Sequence, residues 1–459
     1  MAITINNTPA THSAAYNQIV FDVSSNNTAN TGFNFLIDVY VGGVRVNRQL
    51  YPKQPGTNKL LVDLSPVIKN FVQYDFLNAS AFFSYNTNSK AEYYVQFGEA
   101  YTDASGILQL YPDLTRSPGS GSRFAYNAVF DFEDFNKNRF EQLDVASGFV
   151  LQDTNMKSYC GPNQLKTVSY LDPVMTFTGT ISNGSNLITF AQQLPPNILP
   201  GQYITGTGIP VGTVVTGVSN SPTAYIIVLN NNATATGTYT FTRSRQVTSV
   251  RVRQYDNAGT LLDTDIDTIT PTGTTYVYNI NPKLITGFSL NANTAYYTTE
   301  LYYAIGFVDV VLATYTIYVD NECSKYETYR LHWLNQYGGW EAFNFKKVSR
   351  QSIQVNRNQY RKMLPINYNT YDRLKTNYNT EIVDNIAVTS DWVSDTEAVG
   401  LRELFSSPVI WLERAANDFV AVQVTETNYE TKSYLNNGRA LHNITANIEF
   451  SYNRYRQSL

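Results

Sequence analysis

The sequence is poor in the residues that make most enzyme chemistry recognisable. Among 459 residues there are two cysteines and three histidines. Cys160 and Cys323 stand far apart, in neither a metal-ligand nor a redox spacing. They read as two small buried hydrophobes rather than a disulfide, because a protein made in the cytosol keeps its thiols reduced. His12, His332 and His442 are isolated, so no H-x-x-x-H or Cys/His zinc pattern forms. Charge is scarce too: Asp, Glu, Lys and Arg make up 15% of the chain, against roughly 25% in ordinary domains. A net charge of -4 removes the electrostatic case for coating nucleic acid. No apolar run approaches the roughly 20 residues of a membrane helix. Residues 1–7 lack the basic start and apolar stretch of a secretory signal. There is no G-x-S-x-G, no S-x-x-K, no P-loop and no dinucleotide fingerprint. These absences lead us to expect a soluble, non-enzymatic chain made in the cytosol, with no catalytic residues, cofactor, metal, nucleic acid or membrane insertion.

What is abundant is aromatic: 35 Tyr and 24 Phe, which together with low charge argues against disorder. The pattern is that of strands. FNFLIDVYV (33–41) alternates, turns at Gly42-Gly43 and returns along 44–50. Paired glycines supply the positive φ angles of a two-residue hairpin. The same device is expected in YRLHWLNQY (329–337), Gly338-Gly339 and WEAFNFKK (340–347). A third hairpin runs along 247–255, turns at 256–259 and returns along 260–267. The expected fold is mostly β: several antiparallel, sandwich-like domains with few short helices. One helix should open at Ser65 with Pro66 at N1. Another should open at the capping box Ser394-Asp395-Thr396-Glu397 and bury Ala398, Leu401, Leu404 and Phe405 against a sheet.

From Pro173 to Thr242, 70 residues pass without an Asp, Glu, Lys, Arg or His. Strand candidates at 187–190, 213–218 and 225–229 lie between turn signals. We therefore expect three regions: an N-terminal β region (1–172), a charge-free inserted β-module (173–245) and a C-terminal β region (246–459) with the capped helix. Uncharged edges invite aggregation unless covered.

Few residues suggest a site. Asp131, Glu133 and Asp134 in VFDFEDFNKN lack the glycine-bent loop of a cation site and read as a solvated strand end or loop. Asp263, Asp265 and Asp267 share one face of a strand. They could bind a cation across an interface, but the turn at 256–259 should bring them against Arg251 and Arg253, as ordinary cross-strand ion pairs, and that reading is favoured. Trp340 and Tyr337 flank a turn, as core pairs or as anchors for another chain or a sugar. Arg350, Arg357, Arg361 and Lys362 with Tyr360 read as a solvated or subunit-facing edge. The candidate interface residues are thus Trp340, Tyr337, Tyr203, Tyr360 and Arg361.

GTISNGSNLITF, LPGQYITGTGIPVGTVV and NNATATGTYTFT resemble a small β-module inserted in virion proteins of tailed bacteriophages. Its core here is Gly201, Ile204, Gly206, Gly208, Ile209, Pro210, Gly212 and Thr213. YRLHWLNQYGGWEAFNF, ELFSSPVIWLERAANDFVAVQVTETNYETK and ITANIEFSYNRYRQ are similar to structural proteins of phages infecting Bacteroidetes-type hosts. The resemblance covers about half the chain and implies a virion component of the tail, baseplate or neck. Its partners would be further copies of itself and other virion proteins, after assembly in the host cytoplasm. Sparse charge and abundant Tyr suit surfaces buried between subunits. The alternatives are a fibre protein recognising host surface glycans, and behind it a glycan-cleaving tail enzyme with paired carboxylates.

Overall fold

A computed structural model describes residues 3–76, 80–117, 122–131, 150–152, 156–172, 175–191, 198, 200–221, 224–244, 249–269, 276–305, 308–321, 325–415, 418–426, 432–436 and 439–456. It is a mostly β protein with short helices, and most strand pairs are antiparallel. Cys323, Glu133 and Asp134 lie outside the described residues, while Asp131 is exposed and Cys160 is buried with a free thiol.

The first sandwich packs a three-stranded sheet (Ile3–Asn7, Val20–Ser25, Lys59–Asp63) on a six-stranded one that includes Asn34–Val41, Val44–Pro52 and Lys90–Thr102. Phe21, Val23 and Val62 from the first meet Phe35, Ile37, Val95 and Phe97 from the second. The Gly42-Gly43 hairpin forms as expected, with Val41 opposite Val44 and both glycines at positive φ. Pro66 opens the short helix Ser65–Ile68, but Ser65 makes no side-chain cap. Asp63 takes that task, its Oδ1 accepting from the Ser65 and Ile19 N–H groups at 2.9 Å each.

The second sandwich places Val168–Asp172, Tyr276–Ile280 and Phe83–Tyr85 over a five-stranded sheet of Ser158–Cys160, Val308–Val319, Tyr296–Ile305, Ser249–Tyr255 and Leu261–Thr268. Val168, Tyr170 and Ile280 close on Val250, Val252, Tyr297 and Ile317. Strands from both sides of the charge-free stretch therefore share one core. The stretch itself builds a six-stranded sheet whose strands all lie within 175–244, in the order Tyr203–Gly206, Gly237–Ser244, Met175–Ile181, Leu187–Phe190, Ala224–Leu229 and Val215–Ser221. Phe177, Ile188, Ile204, Ile227 and Phe241 form its own core. Met175 pairs with Arg243, so its first and last strands run side by side. With root and exit adjacent, excising 173–245 and joining the ends through a short Gly/Ser linker should leave the remainder folded. All four tryptophans lie outside the stretch, so unchanged Trp emission and a single soluble species are expected. An aggregated or unfolded product would contradict the module's independence.

The third unit is an eight-stranded sheet. Its main path runs Trp340–Phe345, Tyr329–Leu334, Ile410–Ala415, Asp418–Val424, Thr445–Phe450, Lys375–Thr389, Arg350–Arg361. The helix Asp395–Ser406 begins at the expected capping box, with Ser394 Oγ and the Glu397 side chain each accepting from the other residue's backbone N–H. It lays Ala398, Leu401 and Leu404 on Leu331, Trp333, Val388 and Ile448.

Two hairpins differ from the sequence reading. The strand Tyr329–Leu334 ends four residues before Gly338, and 335–339 forms a five-residue loop in which Asn335 Oδ1 accepts from the Tyr337 and Gly339 N–H groups (3.0 and 2.8 Å). Gly338 alone takes positive φ there, and Gly339 is bare because a side chain would meet the Leu151 carbonyl at 2.6 Å. In the third hairpin the turn at 256–259 forms as expected, Asp256 Oδ1 accepting from the Ala258 and Thr260 N–H groups, but Asp263, Asp265 and Asp267 oppose Gln254, Val252 and Val250. Opposed residues share a face and a one-residue offset reverses it, so the aspartates never meet Arg251 or Arg253. Arg251 is instead bound by Glu300 (2.6 Å) on the adjacent strand Tyr296–Ile305 and by Asp309 (2.7 Å) on the strand beyond it.

Candidate functional site

The candidate interface residues separate into buried and exposed sets. Trp340 is 2% and Tyr337 8% exposed, so their faces are already used within the chain. Trp340 stacks against Trp411 with ring centroids 4.6 Å apart, and Tyr337 packs with Phe130 and Leu151. They are core residues rather than surface anchors. Tyr203 is half-buried in the charge-free sheet. Tyr360 and Arg361 are exposed and stand on a projecting arm.

That arm is the hairpin of Arg350–Arg361 and Lys375–Thr389, the former at the edge of the eight-stranded sheet and exposed along nearly its whole length. Thr445–Phe450 supports only residues 385–389 of the returning strand, and Arg454–Tyr455 supports 381 and 382. Beyond these, 357–361 pair along 375–380, with one further bond from Arg456 N–H to the Thr380 carbonyl (3.0 Å) among the described residues, and extend about 15 Å at ~3.3 Å per residue. The tip, 362–374, is closed by Lys362 N–H donating to the Leu374 carbonyl (2.7 Å), and Asn369 N–H donates to Asp372 Oδ2 within it (2.7 Å). Yet Met363 is 97%, Ile366 100% and Tyr371 79% exposed. Apolar exposure on this scale marks an interaction surface. Burying each such side chain would contribute about 1.5–3 kcal/mol. Residues 350–389 carry six basic and three acidic groups, net +3 in a chain of net -4. The basic edge also discourages indiscriminate strand pairing.

A second feature is a groove of about 930 Å³ where the first and third units meet. Val72, Tyr74, Phe76, Val129, Leu334 and Val409 give it an apolar lining, and among the described residues its charged lining is Asp131 and Glu403. Phe76 rests edge-on against Trp411 (4.6 Å), and Tyr74 against Trp340 and Trp411 (6.2 and 5.7 Å). Trp340 thus supports the groove from beneath.

A third feature was not foreseen. Every residue of Tyr329–Leu334 is buried, because the strand's second face carries a sealed polar cluster. Glu413 Oε2 lies 2.7 Å from His332 Nε2 and 3.3 Å from Arg330 Nε, while Oε1 accepts from Leu165 N–H at 2.9 Å. Arg330 also donates to the Leu165 and Tyr159 carbonyls (2.9 and 3.0 Å). Lys166 Nζ sits 3.4 Å from Glu341, both side chains at most 1% exposed. Burial pulls His332 down to about 4, with Arg330 and Lys166 adding to the effect against the Glu413 bond, so the ring is neutral at pH 7. Burial raises Glu413, but its bond to His332 and the charge of Arg330 outweigh that and hold it below its usual range. The cluster clamps 159–166 from the second sandwich onto the eight-stranded sheet.

Among the described residues no group of three or more His, Cys, Asp or Glu side chains could hold a metal ion, and no helix is long and apolar enough to cross a membrane.

No family model matches the chain, and no curated protein does. Among solved structures, dimeric latent PorU from Porphyromonas gingivalis is similar at 9% identity and a TM-score of 0.15, over 70% of this chain. The match spans about a third of that protein (34%), and a likeness this weak carries no argument about fold or function.

Proposed function

We propose that the chain is a non-enzymatic structural protein of a tailed-bacteriophage virion, assembling as a symmetric oligomer in the tail, baseplate or neck. Its partners are further copies of itself and neighbouring virion proteins, and its place is the virion after assembly in the host cytoplasm. The observation that carries this reading is the arm, a hairpin that ends in bare Met363 and Ile366. Such a tip is costly on an isolated chain and is accounted for when a neighbour covers it. Sparse charge and abundant Tyr support the same reading, since subunit interfaces are depleted in the one and enriched in the other. Light scattering on the purified full chain across concentration should give a defined multimer such as a hexamer or dodecamer. A trimer would move the reading to a fibre that binds surface glycans, and a 51.7 kDa monomer throughout would contradict it.

A further inference from the structure

We propose that the arm tip of one copy seats in the apolar groove of the next, making a head-to-tail contact. This rests on the reading of the chain as a self-assembling structural protein and adds the two surfaces that meet. Strand directions place donor and acceptor at opposite ends of one sheet. The groove takes Leu334, at the end of its strand, and Val409, just before Ile410–Ala415 begins. These two strands are antiparallel neighbours, so both groove residues lie at the same end. The ladder then alternates through Asp418–Val424, Thr445–Phe450, Lys375–Thr389 and Arg350–Arg361, each antiparallel to the last. Counted through, the 350/387 pair shares the groove's end and the 361/375 pair, with the tip, lies at the other. Tip and groove therefore lie at opposite ends of the strand ladder and several strands apart, and the groove the tip fits is on another molecule.

The two surfaces complement each other. The tip presents Met363, Leu364, Pro365 and Ile366 between Arg361 and Lys362 on one side and Arg373 and Lys375 on the other, with Asp372 the one acid of 361–375. The groove presents Val72, Tyr74, Phe76 and Val409 beside Asp131 and Glu403. The arm's +3 faces a remainder of the chain that carries -7. Apolar tip on apolar floor supplies the burial, and the flanking charges set orientation and partner choice. A contact between two different patches of the same chain is heterologous, and repeating it closes a ring or propagates a stack.

Two full-chain variants test this by light scattering, Met363→Asp with Ile366→Asp at the tip and Phe76→Asp with Glu403→Lys in the groove. The wild type should be a multimer and each variant alone a monomer with unchanged Trp emission. Mixed one to one, the tip variant still offers a groove and the groove variant still offers a tip. The mixture should therefore give dimers of twice the monomer mass and nothing larger. That recovery also shows that neither variant has misfolded. A groove variant that assembles like the wild type while the tip variant does not would overturn the proposed acceptor and leave self-assembly standing. A tip variant that assembles normally would overturn the donor. A wild type that stays monomeric would sink the assembly reading itself.

Discussion

Glu413→Ala should destabilise the eight-stranded sheet by about 3–5 kcal/mol, the usual cost of removing one partner from a buried charge cluster. The carboxylate serves three groups at once, the His332 ring, the Arg330 guanidinium and the Leu165 N–H. Its loss leaves a buried cation short of its counter-charge and an amide without an acceptor, in a place water does not reach. Arg330 keeps its bonds to the Leu165 and Tyr159 carbonyls, so the sheet should still form, more weakly. A protein of several sandwiches does not unfold in one step, so the probe must be local. Trp333, Trp340 and Trp411 lie in strands of this sheet, and Trp392 precedes its helix. The urea midpoint of Trp emission therefore reports the unit concerned. Glu413→Gln, which retains an acceptor for Leu165, should lose less. A loss below about 1 kcal/mol for Ala would mean that the clamp on 159–166 is held by its other contacts.

The same unit should be acid-labile well above the range in which carboxylates titrate. His332 has an ordinary value of 6.5 and about 4 in the fold. The unfolded chain therefore binds a proton that the folded one refuses, and stability falls as pH drops from about 6.5 to about 4. Over that window the loss is about 3 kcal/mol at ~1.4 kcal/mol per pH unit of difference. The groups facing the ring are Glu413, Arg330 and Lys166. Glu413 is also held below its ordinary value, so its stabilising contribution is lost in the same direction at the acid end. Measured as Trp-emission midpoints from pH 7.5 to 4.5, the wild type should show this slope and His332→Gln a shallower one. An equal slope in the variant would assign the acid response to other groups.

Much of the local structure was legible from the sequence because it is set by neighbours along the chain. Gly42-Gly43 places Val41 opposite Val44, and Ser394 with Glu397 caps its helix, because each signal lies within a few residues of the structure it specifies. Among the described residues the strands of the charge-free stretch pair with one another in one sheet. What sequence did not reveal depends on register and on distant partners. One residue of offset sent Asp263, Asp265 and Asp267 away from Arg251 and Arg253. The burial of Arg330 and His332 on a strand that reads as alternating follows from Glu413 and Leu165, 83 and 165 positions away. Of the candidate interface residues, Trp340 and Tyr337 were aromatic beside a turn, a pattern shared by core pairs and exposed anchors. Tyr360 and Arg361 read as a solvated or subunit-facing edge, and only the short reach of Thr445–Phe450 shows how far their hairpin runs beyond the sheet. The groove gathers residues from 16 to 409, which no linear motif encodes.

The central claim is that this chain assembles with itself through surfaces that a single copy leaves open. Electron micrographs of the purified full chain test it most directly. Closed rings or stacks of uniform diameter are predicted, with the arm bridging adjacent subunits. Dispersed single particles of 51.7 kDa at every concentration would contradict it.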